Sequence, residues 1–169
     1  MALVPESRRD QGLCLNLGVG FNTNLTVFER LTRAFMIDHR AESLAADQQI
    51  KDLQIKTASR EALASSLSGG NQQKMVIGKW LNHGAKLFIF DEPTVGVDVG
   101  TKVEIYKLFA QLLKDGAGII LISSYLPEVY HLCDTLHVFR QGQIVASHAL
   151  AASGHKASPE TILTEAIGV

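Results

Sequence analysis

Two short stretches of the chain are apolar at nearly every position, Leu87-Phe-Ile-Phe90 and Gly118-Ile-Ile-Leu-Ile-Ser123. Without polar alternation they predict strands buried on both faces, as in parallel sheets covered by helices. Between them Ile105, Leu108, Phe109 and Leu112 recur at helical spacing. They form the inward stripe of a helix that Thr101-Lys-Val-Glu104 opens as a capping box and Asp115-Gly116 ends. Strand, helix, strand in that order predicts a right-handed βαβ unit with a parallel pair.

Downstream, Pro127 suits the first turn of a short helix through Leu132. Thr135–Phe139 and Gln143–Ser147, joined around Gly142, read as a hairpin. Ala149 to Ala157 is a small-residue linker, and Ser158-Pro159 starts a last helix that Gly168 ends. Upstream, Ala2 to Pro5 is a short apolar lead into the charged loop Glu6 to Asp10, which closes at Gly12. Leu13 to Phe21 holds Gly18 and Gly20 without a Gly-x-Gly-x-x-Gly fingerprint and reads as a turn-rich connector. Thr26-Val-Phe-Glu29 looks like a capping box, with Val27, Leu31, Ala34 and Phe35 following at helical spacing. A second helix fits Ala41 to Leu53. No stretch from Asn22 to Ser66 reads as a strand, so 22–80 is expected to be a helical subdomain, 85–148 the α/β core and 149–169 a linker and helix.

Composition narrows the class. The 169 residues are 46% hydrophobic and 20% charged, with a formal net charge of −1. That balance fits one globular domain and gives no global basic surface for nucleic acid. The two cysteines, Cys14 and Cys133, are far apart and favour a reducing compartment. No apolar run approaches bilayer length and no signal peptide is visible, so the expectation is a cytoplasmic protein that meets a membrane only through a partner. The histidines do not converge into a metal pattern. His131 and Cys133 point different ways on one short helix, and Arg8-Arg9 reads as solvated or salt-bridged.

Candidate chemistry lies in two places. Asp91 and Glu92 leave the first strand together, and Pro93 stops it. An acidic pair at the carboxyl end of a strand suits a metal-nucleotide site, with one carboxylate for Mg²⁺ and one for water. This has the form of a Walker B strand. Ahead of it, Leu67-Ser68-Gly69-Gly70-Asn71-Gln72-Gln73-Lys74 opens a helix whose apolar side includes Val76, Ile77, Trp80 and Leu81. Ser68 is placed to cap, the two glycines admit a ligand close to the backbone, and free N–H groups at the helix start favour phosphate.

The order Leu67-Ser-Gly-Gly, Phe90-Asp-Glu-Pro-Thr94, Gly96-Val-Asp98 and Ile122-Ser-Ser-Tyr125 resembles the ATP-binding domain of ABC transporters. Leu-Ser-Gly-Gly-Asn-Gln-Gln-Lys with Gly-Val-Asp-Val-Gly and Ser-Ser-x-x-Pro-Glu resembles, more narrowly, the second half of tandem ATPases that serve ribose, xylose and galactose importers. Val4-Pro-Glu6 with Gly12-Leu13 and Thr161-Ile-Leu with Ala-Ile-Gly168 extend the likeness over essentially the whole chain. The resemblance implies an α/β P-loop NTPase fold with ATP and Mg²⁺ as cofactors, Asp91 as the metal carboxylate and Glu92 as the general base on water. It implies that Leu67, Ser68, Gly69, Gly70, Asn71 and Gln72 form the signature loop facing the nucleotide of an opposite ATPase domain. Asp98 would sit in the D-loop, and Ser124 at the switch position. The implied partners are a second ATPase portion and permease subunits on the inner face of the plasma membrane, with no nucleic acid.

Two departures qualify the likeness. The 169 residues contain no Gly-x-x-x-x-Gly-Lys-[Ser/Thr] phosphate loop; Gly78-Lys79 is followed by Trp80 inside a predicted helix. The glutamine-bearing loop ahead of the helical subdomain is missing too, so the chain is expected to be the closing portion of a longer tandem protein. Ser124 stands where a switch histidine is usual, a substitution that the resemblance makes ordinary for the second half of sugar-import ATPases. Three readings stay open: a sugar-import ATPase portion, a non-catalytic remnant supplying a signature loop or docking surface, and an ABC ATPase outside transport.

Overall fold

A computed structural model describes residues 1–33, 35–150 and 157–168. The chain divides into two compact units, Met1–Ile120 and Leu121–Val169.

The first unit begins with β1 (Ala2–Val4), which pairs in parallel with β4 (Leu87–Asp91), Val4 standing opposite Phe90. The apolar lead thus becomes a strand. Only three residues long, it is too short to show a period, yet Ala2 and Val4 are buried and Leu3 between them is 51% exposed. A single π-turn over Arg8–Gly12 follows, then α1 (Val19–Asn24). Asn22, fully buried, ties the connector together: its amide donates to the Cys14 and Gly18 carbonyls and its Oδ1 accepts from Cys14 N–H.

The helix expected from Thr26 to Phe35 does not form. A 3₁₀ turn covers Phe28–Leu31, and β2 (Thr32–Arg33) pairs antiparallel with β3 (Met36–Ile37). The region therefore holds a small hairpin where no strand was foreseen. Phe35 has φ +66°, which a helix cannot accommodate, and it is fully exposed. Asp38 then caps α2 (His39–Asp52), its carboxylate accepting from the N–H groups of Arg40 and Ala41 at 3.0 Å each. A strong N-cap at Asp38 starts a new helix there, and the preceding apolar spacing was chance. The second expected helix is found close to its predicted bounds.

Then come α3 (Gly69–His83), ended by Gly84 at φ +75°, and α4 (Val99–Lys114) after β4. The cap of α4 is Asp98 and not Thr101, so the helix begins two residues before the expected box. Ile105, Phe109 and Leu112 form its buried stripe, with Leu108 half-buried. β5 (Gly118–Ile122) lies on the other side of β4, giving the sheet order β1-β4-β5.

Neither apolar strand is buried on both faces. Phe88 and Phe90 are fully buried, but Leu87 and Ile89 are half-buried and Ile120 is 48% exposed. Leu3 stands opposite Ile89 in the β1–β4 register, so one face of the sheet shows apolar side chains to solvent. Such a face, next to strand edges, favours association. The purified chain is expected to show concentration-dependent self-association in sedimentation velocity. A monodisperse monomer at high concentration would count against it.

The second unit is built on α5 (Leu126–Leu132), the hairpin β6 (Thr135–Arg140)/β7 (Gln143–Ala149) and α6 (Pro159–Ile167). Gln141 and Gly142 both have positive φ, +50° and +77°, which fits a tight two-residue hairpin turn. Leu136, Val138, Leu150 and Ile162 make its core. Gly168 closes α6 with φ +87°. Most of the expected linker, residues 151–156, lies outside the described residues.

Candidate functional site

The signature string stands at the start of α3. Ser68 is extended, and its hydroxyl accepts from the side-chain amide of Asn71 at 2.9 Å and, at 3.5 Å, from its backbone N–H. The Asn71 Oδ1 in turn accepts from Lys56 N–H at 2.8 Å, which anchors the loop to the segment after α2. Gln72 faces inward, 3% exposed, and donates to the Ala64 carbonyl at 3.1 Å, supporting the loop from behind. Leu67 is half-buried, Gly69 half-buried and Gly70 buried.

Gly70 leaves no room for a side chain, and Gly69 leaves little unless Arg8 moves. A β-carbon on Gly70 would strike the Thr101 hydroxyl on α4, and one on Gly69 would lie 2.7 Å from Nη2 of Arg8 and 3.1 Å from the Gly96 carbonyl. The signature loop is therefore pressed against the segment that follows β4. Lys74, one turn into α3, completes the contact with a 2.5 Å ion pair to Glu104 on α4.

That segment carries the acidic pair. Asp91 ends β4, and Glu92 turns the chain out of the sheet with φ +45°, a left-handed conformation uncommon outside glycine. Strained backbone of this kind concentrates at functional sites, where surrounding structure holds it. Here the Val95 N–H donates to the Glu92 carbonyl at 3.2 Å, Gly96 takes φ +67°, and Pro93 and Thr94 are buried. Both carboxylate residues are half-buried. Asp98 follows, exposed, its carboxylate accepting from Thr101 N–H at 3.0 Å and from the Thr101 hydroxyl at 2.7 Å. These bonds hold its pKa below the ordinary aspartate value, the backbone bond from Thr101 foremost.

The first unit thus brings Leu67 to Gln72 against the loop that runs from Asp91 to Asp98. Ser124 belongs to the second unit, where it follows β5 and is exposed; beside it the Ser123 hydroxyl donates to the buried Glu128 at 2.8 Å and accepts from Tyr125 N–H. Among the described residues no group of three or more His, Cys, Asp or Glu side chains is placed to hold a metal. No helix of the described residues is long and apolar enough to cross a membrane.

Sequence reasoning missed Arg8. Expected to be solvated or salt-bridged, it lies against the signature loop and donates to the carbonyls of Val95 at 3.1 Å and Gly96 at 3.3 Å. Burial, with Arg9 adding repulsion, lowers its pKa from the ordinary value. No local signal marks it, because its partners are 87 and 88 residues away.

Comparison with known proteins gives the family and the fold. The family model described as "ABC transporter" matches residues 5–95. The ribose import ATP-binding protein of Pseudomonas putida is 42% identical over 168 residues, and the xylose import ATP-binding protein of Geobacillus kaustophilus is also 42% identical over 168 residues. Each alignment covers 99% of this chain but 32% of the relative, so the chain spans about a third of the length of the curated relatives it matches. Among solved structures, a dimeric post-hydrolysis state of the ATP-binding cassette MJ0796, bound to ADP and Pi, superposes with TM-score 0.70 at 17% identity, over 88% of this chain and 62% of that one. An inward-facing putative metal-chelate type ABC transporter gives TM-score 0.76 at 17% identity over 98% and 63%. With its signature helix docked on the loop after an acidic strand, this chain belongs to the ABC transporter family.

Proposed function

We propose that the chain is a portion of the ATP-hydrolysing subunit of a monosaccharide importer, the closing half of a tandem ATPase. In this reading it works at the inner face of the plasma membrane through permease subunits. The observation that carries it is the capped signature loop, packed without spare room on the segment that leaves β4. The names of the ribose and xylose import relatives supply the substrate class.

Phosphoryl transfer depends on positioning and charge neutralisation more than on covalent chemistry. Asp91 and Glu92 fit that need in part: Mg²⁺ is commonly held by one or two carboxylates, with phosphates and water completing its shell. Asp91 would be the metal carboxylate, and Glu92, held in its strained turn, would take the proton of the attacking water. Leu67 to Gln72 would present the start of α3 to the terminal phosphate of an opposite domain, with Asp98 in the D-loop and Ser124 at the switch position. The cradle for the triphosphate is not among these residues, since the sequence has no phosphate loop.

The same observation favours a second reading, in which the chain hydrolyses nothing alone and contributes only its signature loop. One experiment tests whether the chain is an ATPase by itself. Calorimetric titration of the chain with Mg-ATP is expected to give no micromolar binding, and its turnover to stay at background. Micromolar affinity together with turnover abolished by Glu92→Gln would show an autonomous ATPase. To test the importer reading itself, the 169 residues would replace the matching segment of the P. putida relative. Such a chimera is expected to hydrolyse ATP, and a dead but folded chimera would count against the assignment.

A further inference from the structure

We propose that Arg8 is a positioning residue that clamps the signature loop and the loop after β4 together, so that Ser68–Gly70 and Val95–Asp98 move as one body. Its guanidinium reaches into the seam between them. One edge donates to two successive carbonyls, Val95 and Gly96, and the same Nη2 atom lies where a side chain on Gly69 would have to go. A planar fork suits two adjacent carbonyls, which an ammonium cannot span equally well. The Nε of Arg8 is buried with no hydrogen-bond partner among the described residues. It is the Nη groups, not Nε, that hold the loop.

Two further contacts tie the same elements just behind the clamp. Gly70 packs on Thr101, whose N–H and hydroxyl both hold Asp98, and Lys74 of α3 pairs with Glu104 of α4. Those links join helix to helix. Arg8, entering from the turn after β1, bonds the loop backbone at Val95 and Gly96 and fills the space beside the signature glycine. Its value for ATP chemistry rests on the function proposed above, because a rigid seam would deliver the signature loop and Asp98 to a nucleotide in fixed register. The clamp itself needs no nucleotide.

Amide hydrogen exchange on the full 169-residue chain, without nucleotide, tests it. Arg8→Ala is expected to speed exchange on the order of tenfold at both loops together, read at Asn71 and Gln72 and at Val95, as local opening replaces a paired state. The amides of β4 and α2 should stay as they are. Arg8→Lys is expected to restore part of the protection, leaving about a threefold increase. Arg9→Ala, at the exposed neighbouring position, should change neither loop. A rise at one loop alone, a uniform rise across the first unit, or no difference between the alanine and lysine variants would each overturn the clamp. If Arg8→Ala does not fold, Arg8→Lys is read by itself: a joint small rise supports the clamp, and unchanged exchange overturns it. Because nucleotide is absent, an inactive chimera beside coupled loops would reject the ATPase reading and leave the clamp standing.

Discussion

Replacing Gly69 with Asp in the chimera is expected to cost on the order of a hundredfold in ATPase rate, the scale of losing a preorganised contact to a charged transition state. A carboxylate at the first position of α3 favours the helix dipole by about 0.3–1 kcal/mol, so helix propensity gives no reason for the fold to fail. The same charge stands where an incoming phosphate would have to approach. Its β-carbon would also meet Arg8 and the Gly96 carbonyl, and its carboxylate would draw the guanidinium off the Val95 and Gly96 carbonyls. Gly69→Ala, with the steric part alone, should fall between wild type and Gly69→Asp. Glu92→Gln should cost much less than Gly69→Asp, because in the proposed arrangement Ser124 leaves Glu92's own site without the usual histidine, whereas the signature loop serves the better-equipped site of the other half. ATPase rates ranking Glu92→Gln below Gly69→Asp would sink that asymmetry.

The parts of the site legible in the sequence are those whose determinants are contiguous. Ser68 caps the helix it begins, the Leu87–Phe90 run stops at Pro93, and Asp98 lies three residues from the Thr101 it holds. What the sequence hid depends on partners far along the chain. β1 is a strand only because β4 offers it an edge, and three residues carry no period of their own. Arg8 looks like any charged loop residue until the turn after β1 is folded against the loop after β4. The hairpin at Thr32–Ile37 was hidden differently: helical spacing of four apolar residues was stronger in the sequence than the single Asp38 that starts the real helix. The wholly apolar run of β5 predicts burial on both faces, yet Ile120 and Ile122 are nearly half exposed. Apolar composition sets what a strand would accept as neighbours, and the structure sets which of them it has.

Phe90→Ala is expected to destabilise the first unit by about 3–5 kcal/mol, the usual cost of emptying a fully buried aromatic site. Phe90 has no solvent exposure, stacks on Phe88 with ring centres 5.8 Å apart and planes within 9°, and meets Phe109 of α4 at 4.4 Å. Phe90 thus joins sheet to helix, and in a close-packed interior neighbours collapse only partly into such a void. Phe90→Leu, which keeps much of the volume, should cost less than half as much. Trp80 is the sole tryptophan and lies in the first unit, so its fluorescence during urea unfolding at low protein concentration reports on the unit that holds the substitution. The position also bears on chemistry. Phe90 is the last core residue before Asp91 and the strained turn at Glu92, and a cavity there is expected to loosen the loop after β4 on which the signature loop packs. In the chimera Phe90→Ala should therefore lower ATPase activity even at temperatures where the fold is intact, while Phe90→Leu keeps most of it. A loss of stability under about 1.5 kcal/mol for the alanine variant would mean that the site relaxes, and that the aromatic cluster does not anchor the acidic turn.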